Sequence, residues 1–285
     1  MFQIIGIVVV FASVILGYTM HHGELAVLWQ PTEFIIIGGA GLGSFIIANP
    51  PSVLKGATRG LLGLVKPSPF NKAAFAELLQ VLFEVFKMAR REGLVALEKH
   101  IEDPDNSTIF AQFPGFNHHH RARAFLCDTL KVLLTGAVED HNLAEILDLD
   151  LERQLEEEHN ITSAVNKVGD AMPGFGIVAA VLGVVITMGS IGGAASEIGE
   201  KVAAALVGTF LGVLLAYGLI NPLASALEAR GRSEGAYMQA IRTALLAFAR
   251  GDSPITCVEF ARRGLEPSDR PSFSDLEDLT RRKAA

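Results

Sequence analysis

Four stretches of this chain, residues 1–23, 34–54, 171–196 and 202–227, contain no Asp, Glu, Lys or Arg. A helix crosses the hydrocarbon core of a bilayer with about 20 predominantly apolar residues. No water is available in that core to satisfy backbone polar groups, and a helix satisfies them within itself. The chain is therefore expected to be an all-α, polytopic membrane protein with four transmembrane helices, at 1–22, 34–54, 170–191 and 202–222. The first stretch lacks a basic leading region and runs too long and too evenly for a cleaved leader, so it reads as a retained span.

The charges excluded from the spans are gathered between and after them. Of 24 Lys and Arg, 13 fall in 55–167 and 10 in 230–283, which leaves only Lys201 in the short connection between the third and fourth spans. Basic residues are retained on the cytoplasmic side of a membrane. Residues 55–169 accordingly read as a cytoplasmic helical domain and 223–285 as a cytoplasmic C-terminal helical segment, with both termini inside. The two cysteines, Cys127 and Cys257, then share a reducing compartment in which no disulfide is expected.

Inside the insert, Phe75, Leu78, Leu79, Leu82, Val85, Phe86 and Ala89 recur at helical spacing, with Asn71 placed to cap a helix over 72–92. Gly93 interrupts or ends it, and 94–102 resumes a helical pattern. Residues 103–120, with Pro104, Pro114 and Gly115, read as a loop. Periodicity returns at Phe125, Leu126, Leu130, Leu133 and Leu134, followed by an acidic stretch over 139–158. A helix from about 161 is expected to run straight into the third span, and the fourth is expected to continue through 223–249. Ser274-Asp275-Leu276-Glu277 has the form of a capping box before a final short helix.

The spans carry Gly39 and Gly43, Gly189 and Gly193, and Gly208 and Gly212, each pair spaced by four. That spacing lets helix backbones approach closely in lipid and points to a tight bundle or a multi-subunit ring. Pro173 lies at the inner entrance of the third span and Pro222 at the inner exit of the fourth. A proline inside a helix removes one donor and leaves the carbonyl four residues earlier without its partner. Those carbonyls belong to Gly169 and Gly218, so two bendable points are expected at one membrane depth. Helix-end prolines are a common alternative, but a matched pair joining two spans to two cytoplasmic helices suits a mechanical joint better.

No ionisable residue lies deep inside the four charge-free stretches. Intramembrane ionisable groups usually mark an ion path, so an ion-moving chain of this kind would take its titrating group from another chain. His118, His119 and His120 are adjacent and cannot share one helix face, and no Cys or acid stands at zinc-site spacing. They read as a solvated loop, and His21 and His22 as interfacial residues at the outer end of the first span. No Gly-Lys-Ser/Thr phosphate loop and no nucleophile–base arrangement is evident. The sequence therefore points away from an enzyme and gives no metal or cofactor motif.

Four runs carry a family resemblance. Val168-Gly169-Asp170-Ala171-Met172-Pro173-Gly174-Phe175-Gly176-Ile177-Val178-Ala179-Ala180 resembles the third-span entry of MotA-type flagellar stator subunits. Val207-Gly208-Thr209-Phe210-Leu211-Gly212, Leu215-Ala216-Tyr217-Gly218 and Asn221-Pro222-Leu223-Ala224 resemble their fourth span. Gly38-Gly39-Ala40-Gly41-Leu42-Gly43-Ser44-Phe45 is similar to their second, and Arg270-Pro271-Ser272-Phe273 to their C-terminal segment. The resemblance covers nearly the whole chain, with the spans in the same order.

This resemblance implies a bacterial inner-membrane protein whose copies, five in number, form a ring around two chains of a MotB-type partner. The partner would contribute the ion-binding acid and the peptidoglycan anchor, and the ring would push a FliG-type rotor protein. It also implies residue roles. Arg90 and Glu98 would contact the rotor, within a run that adds Arg91 and Glu92. Ala180 and Thr209 would line the ion pathway, and Pro173 and Pro222 would couple protonation to the cytoplasmic helices. Ala180 offers no side-chain oxygen where sodium-type relatives have a hydroxyl, so the implied ion is the proton. An energy-transducing proton channel subunit of the ExbB or TolQ type is the alternative, although those proteins usually have three spans. A secondary transporter should instead show charges or broken helices near the midplane.

Overall fold

The computed structural model describes residues 2–136, 140–189 and 192–281. Residues 190–191 of the expected third span, the first residue of the acidic stretch, and 282–285 of the C-terminal segment lie outside these. Among the described residues every regular element is a helix, and four are long and apolar enough to cross a membrane. The chain divides into two compact units: Met1–Pro67 with Glu157–Ala229, and Ser68–Glu156 with Arg230–Ala285.

In the first unit, helix α1 spans Phe2–Met20 and is followed, after a single helical turn at Leu25–Leu28, by α2 over Pro31–Ala48. Proline at the start of α2 fits because the first helical N–H has no intrahelical partner. Asn49 and Pro50 end α2, and a separate helix, α3, follows at Pro51–Gly63. The expected span at 34–54 is thus divided. The residue before a proline is held out of the helical region, and Asn49 is extended at φ −130° and ψ 142°. Helix α3 places Lys55 and Arg59 opposite a face that packs Ala57 with Leu64, Val165, Ala224 and Leu227. Helix α1 buries none of its side chains, although Val10 packs near Gly218, so nearly its whole apolar circumference is open to lipid or to other chains.

The second unit is organised by helix α4, Lys72–Glu92. Asn71 caps it as expected, its Oδ1 accepting from the N–H groups of Ala73 and Ala74 at 3.0 and 3.1 Å. All seven residues of the expected stripe are buried. Gly93 ends the helix at φ +88°, a conformation that suits a residue without a Cβ. Helix α5, His120–Leu134, buries Phe125, Leu126 and Leu130 in the same core. The intervening 103–120 segment is not a solvated loop. It forms short turns at Pro104–Asn106, Phe110–Gln112 and Pro114–His118 that bury Phe110, Phe113 and Phe116. Its prolines mask the pattern, because each starts a turn and the aromatic residues repeat every three residues.

Two of the spans lie within longer helical runs. Helix α6 runs over Asp140–Met188, beginning about twenty residues before the helix start expected near 161, and α7 covers Ala195–Leu215. Helix α8, Asn221–Ala249, follows α7 through a wider turn at Ala216–Ile220. In the second unit α8 supplies Tyr237, Ile241, Ala244 and Leu245 to the core, and Phe248 stacks on Phe86 with ring centroids 4.6 Å apart. Arg242 donates through Nη2 to Asp148 of α6 at 2.7 Å. The C-terminal residues belong to this same unit rather than standing apart. Helix α9 spans Pro254–Gly264 and α10 Phe273–Arg281.

Candidate functional site

The site is built on a seam where α6 and α7 touch backbone to backbone. A methyl at Gly176 would lie 2.8 Å from the carbonyl oxygen of Gly208, and one at Gly212 would lie 2.7 Å from that of Met172. A methyl at Gly183 would meet the Ala205 side chain at 2.6 Å. Such distances are too short for any side chain, so these glycines allow the two backbones to meet. Gly208 and Gly212 are one of the expected spaced pairs. Their counterparts, Gly176 and Gly183, belong to none, because the small residues four positions away from them are Ala180 and Ala179. Reading alanine as equivalent to glycine would have found that face. Gly39 and Gly43 behave differently, with nothing within 4 Å of a Cβ placed at either.

Ala180 and Thr209, the residues expected to line an ion pathway, both lie along this seam. A methyl at Gly208 would be 3.2 Å from the Ala180 backbone nitrogen, and one at Gly176 would be 3.3 Å from Thr209 Cα. Both side chains are half-buried. The Thr187 hydroxyl donates back to the Gly183 carbonyl at 2.8 Å, the usual resting place for a threonine in a membrane helix. Among the described residues the Thr209 hydroxyl makes no such bond, which leaves it available.

The charge-free stretches stand as read, but an acid at the edge of the second one reaches this seam. The charge-free second stretch begins at 34, one residue past Glu33, but the helix begins at Pro31 and buries Glu33 in its first turn. Glu33 is 6% exposed, and a methyl at Gly208 would lie 2.6 Å from its Oε2. That oxygen has no hydrogen-bond partner among the described residues. The membrane-spanning unit therefore contains an ionisable group of its own. A count of charges along the sequence excludes Glu33 because it stands at the edge of an apolar run. Packing against α7 is what buries it.

Beyond one end of the seam, Pro173 and Pro222 sit in neighbouring helices. Helix α6 continues through Pro173, with Gly169 buried one turn earlier. A side chain at Gly169 would collide with Oδ1 of Asn221, the residue before Pro222. Asn221 Nδ2 donates to Asp170 Oδ1 at 3.1 Å, so the two proline-bearing segments are hydrogen-bonded to each other. Asn221 Oδ1 is buried against Gly169 with no donor among the described residues. The backbone before Pro222 departs from the simple expectation of one unpaired carbonyl. Ala216–Ile220 form a π-helical turn in which the Asn221 N–H reaches back five residues to the Ala216 carbonyl. Such turns insert one extra residue into a helix and recur at functional positions. Gly218 lies in this turn, and a methyl there would meet Val10 of α1 at 3.0 Å.

Arg90 and Glu98 are both exposed on the second unit, on either side of the Gly93 turn. Arg90 is in the last turn of α4, and Glu98 opens a five-residue helix, Glu98–Glu102. Glu98, Glu92 and Glu102 line a shallow groove with Met88, Val95, Ala96 and Lys99. Val95 is 71% exposed there, so the groove offers an apolar contact within an acidic rim. Arg90 is tied within the unit, as its Nη2 donates to the carbonyl of Gly251, just past the end of α8. No such tie is visible in the sequence, because the two residues are far apart along the chain.

The remaining polar features of the second unit are structural. His119 stacks on Phe70 with centroids 4.8 Å apart and leans on Tyr237, so it is a packing residue rather than part of a solvated loop. Burial pushes its pKa down, partly opposed by the Glu77 carboxylate. Among the described residues no three His, Cys, Asp or Glu side chains gather as a metal site. Cys127 and Cys257 are free and buried, and burial pushes both thiols up to about 11.

The Arg270-Pro271-Ser272-Phe273 motif forms a clasp. Arg270 donates to the carbonyls of Leu265 and Arg263 at the end of α9, and Arg262 donates to the Pro271 carbonyl at 2.9 Å. Arg262 also makes a two-pronged pair with Glu259 at 2.7 and 2.8 Å. The capping box of the last helix is shifted from its expected place. Ser272 Oγ accepts from the Asp275 N–H, and the Ser272 N–H donates to the Asp275 carboxylate.

Comparison with known proteins supports the same reading of the whole chain. Residues 4–93 match the family described as Motility protein A N-terminal, and residues 117–240 match the MotA/TolQ/ExbB proton channel family. Motility protein A of Escherichia coli strain K12 is 39% identical over 281 residues, covering 99% of this chain and 95% of the relative. Chemotaxis protein LafT of Vibrio parahaemolyticus is 33% identical and covers 96% of each chain. The fold is similar to a chain of the C. jejuni MotAB structure, with a TM-score of 0.78, 21% identity and coverage of 95% and 98%. It is also similar to a chain of the flagellar MotAB stator complex from Bacillus subtilis, with a TM-score of 0.72, 25% identity and coverage of 90% and 92%. The glycine seam, the paired prolines and these end-to-end matches converge on one assignment: the chain is a Motility protein A-type member of the MotA/TolQ/ExbB proton channel family.

Proposed function

We propose that this chain is the ring-forming subunit of a flagellar motor stator, which conducts protons together with a MotB-type partner and turns their flow into torque on the rotor. In this reading the chain sits in the bacterial inner membrane with both termini and the second unit in the cytoplasm. Five copies surround two partner chains, and the partner supplies the ion-binding acid and the peptidoglycan anchor. Ala180 and Thr209 line the path, and the available Thr209 hydroxyl hydrogen-bonds the acid or its water.

The observation that carries the proposal is the joint at Pro173 and Pro222. Two prolines, a π-helical turn and the Asn221–Asp170 bond lie together where α6 runs back to Asp140 and α8 runs on to Ala249. A unit charge crossing the membrane field releases about 2.3 kcal/mol per 100 mV. That suffices to shift a joint held by one or two hydrogen bonds, each worth about 1 kcal/mol. It does not suffice to unfold a packed domain. Arg90 and Glu98 then meet complementary charges on a FliG-type rotor protein, where charge pairing sets register more than affinity.

The test is expression of the chain in a cell lacking its own ring subunit, with the matching MotB-type partner present. Restored swimming and partner co-purification are expected. Function in an envelope process without flagellar rotation would instead place the chain with the ExbB or TolQ type.

A further inference from the structure

Glu33 is a buried acid in the membrane-spanning unit to which no function has so far been given. Its Oε2 lies inside the protein with no hydrogen-bond partner among the described residues. Transfer of a polar group out of water without such a partner is unfavourable by several kcal/mol, and by more when the group is charged. Acids kept inside a membrane despite that penalty mark ion or proton pathways. Room for this one is made by a missing side chain, because any Cβ at Gly208 would fall 2.6 Å from Glu33 Oε2. The same point is 3.2 Å from the Ala180 nitrogen, and Thr209 is the next residue. The carboxyl therefore reaches the seam at the level of the two pathway residues. Gly208 lies seven residues past Lys201, the nearest basic residue on its helix. At 1.5 Å per residue this is about 10 Å of helix rise, so the carboxyl is set in from the charged end of α7.

We propose that Glu33 carries protons along the ion path, as a relay between the outer aqueous phase and the partner's acid. This rests on the proton-channel reading given above. In the proposed topology the first turn of α2 is at the outer end of its span. The neutral acid, the form that burial favours, passes its proton to the partner's carboxylate beside Ala180 and Thr209. The carboxylate left behind takes one proton arriving from outside and returns to its starting form. No other bond is made or broken.

The test uses the complete complex of ring subunit and partner, purified and reconstituted in vesicles, with proton flux measured under an applied potential. Flux from the parent complex tests the channel reading itself, and comparison of variants tests the relay. Glu33→Gln keeps the size and hydrogen-bonding reach of the side chain but cannot exchange a proton. It is expected to lower flux at least about tenfold at an unchanged yield of complex, a loss equivalent to about 1.4 kcal/mol. Glu33→Asp, which retains the carboxyl on a shorter stem, is expected to recover flux above the Glu33→Gln level. Flux within about twofold of the parent in Glu33→Gln would overturn the proposal. So would equal flux in the Asp and Gln variants, or failure of Glu33→Gln to assemble, since each makes Glu33 a shape or packing group.

Discussion

At the scale of single residues, the charges expected to meet the rotor are not equivalent. Glu98 is exposed beside a groove, whereas Arg90 also holds the Gly251 carbonyl past the end of α8. Reversal at Glu98 should therefore lower torque with little effect on folding. Reversal at Arg90 should lower torque and also remove an intramolecular bond, worth about 1 kcal/mol for an exposed charged donor. Thermal unfolding of purified protein measured beside torque separates the two, and equal melting of both variants would show that the Arg90 bond is dispensable. A second residue-scale prediction comes from Glu259. Hydrogen bonds from Arg262, then Arg263, outweigh desolvation and hold its carboxyl down to about 2, against an ordinary value of 4.5. A depressed carboxyl stabilises the folded state above its unfolded pKa, and that contribution fades as pH falls from about 4.5 toward about 2. It is worth at most about 3 kcal/mol at neutral pH. Glu259→Gln should lower the melting temperature near neutrality and flatten its fall over that acid window. An unchanged acid limb in the variant would assign acid sensitivity elsewhere. The Arg270-Pro271-Ser272-Phe273 motif was legible as a family mark, yet its physical role in clasping α9 needed the folded chain, because backbone carbonyls leave no trace in sequence.

At the scale of elements, the proposed joint at Pro173 and Pro222 can be stiffened without removing any charge. Pro173→Ala and Pro222→Ala each restore a backbone donor one turn beyond a glycine carbonyl, and alanine is a strong helix former. Both variants should insert, assemble with the partner and reach the motor, while torque per stator falls sharply. Normal torque in both would reduce these prolines to markers of helix geometry. Asn221→Ala tests the same joint from the other side, because it removes the 3.1 Å bond to Asp170 while keeping both prolines. It should lower torque less than either proline change, since one exposed amide–carboxylate bond contributes only about 1 kcal/mol. Much of this was readable in advance. Proline spacing pointed to the segments that the Asn221–Asp170 bond joins, and the stripe from Phe75 to Ala89 located the core of the second unit. The π-helical turn and the Asn221–Asp170 bond were not readable, because they arise from how α6 packs on α7 and α8. The buried turns at Phe110, Phe113 and Phe116 were hidden for a related reason: turn-forming prolines interrupt the 3.6-residue pattern that signals a buried helix face.

At the scale of the whole molecule, the small residues of the spans separate into two classes with different consequences. Gly176, Gly208 and Gly212 bring backbones of one chain together, and a methyl at Gly176 or Gly212 would come within 3 Å of a neighbouring carbonyl oxygen. Alanine at either position must push α6 and α7 apart, so the chain itself should be destabilised and its level in the membrane should fall. Gly39 and Gly43 meet nothing within 4 Å inside the chain. Helix α1 likewise buries no side chain, so its apolar surface and this glycine face are open for other copies or the partner. Apolar residues facing lipid gain little from one another, and close backbone approach between helices is what small residues contribute in a membrane. Gly39→Leu and Gly43→Leu should therefore leave the chain inserted at normal levels while preventing close approach between chains. The measurement is a pair of readings on the same cells, membrane level of the chain and size of the detergent-extracted complex. Gly176→Ala and Gly212→Ala should lower the first, whereas Gly39→Leu and Gly43→Leu should leave it unchanged and shift the second to a smaller species. A full-size, functional complex carrying Gly39→Leu and Gly43→Leu together would mean that lipid, not another chain, lies against this face, and the ring contacts would have to be sought on α1 and the outer surfaces of α6 and α7.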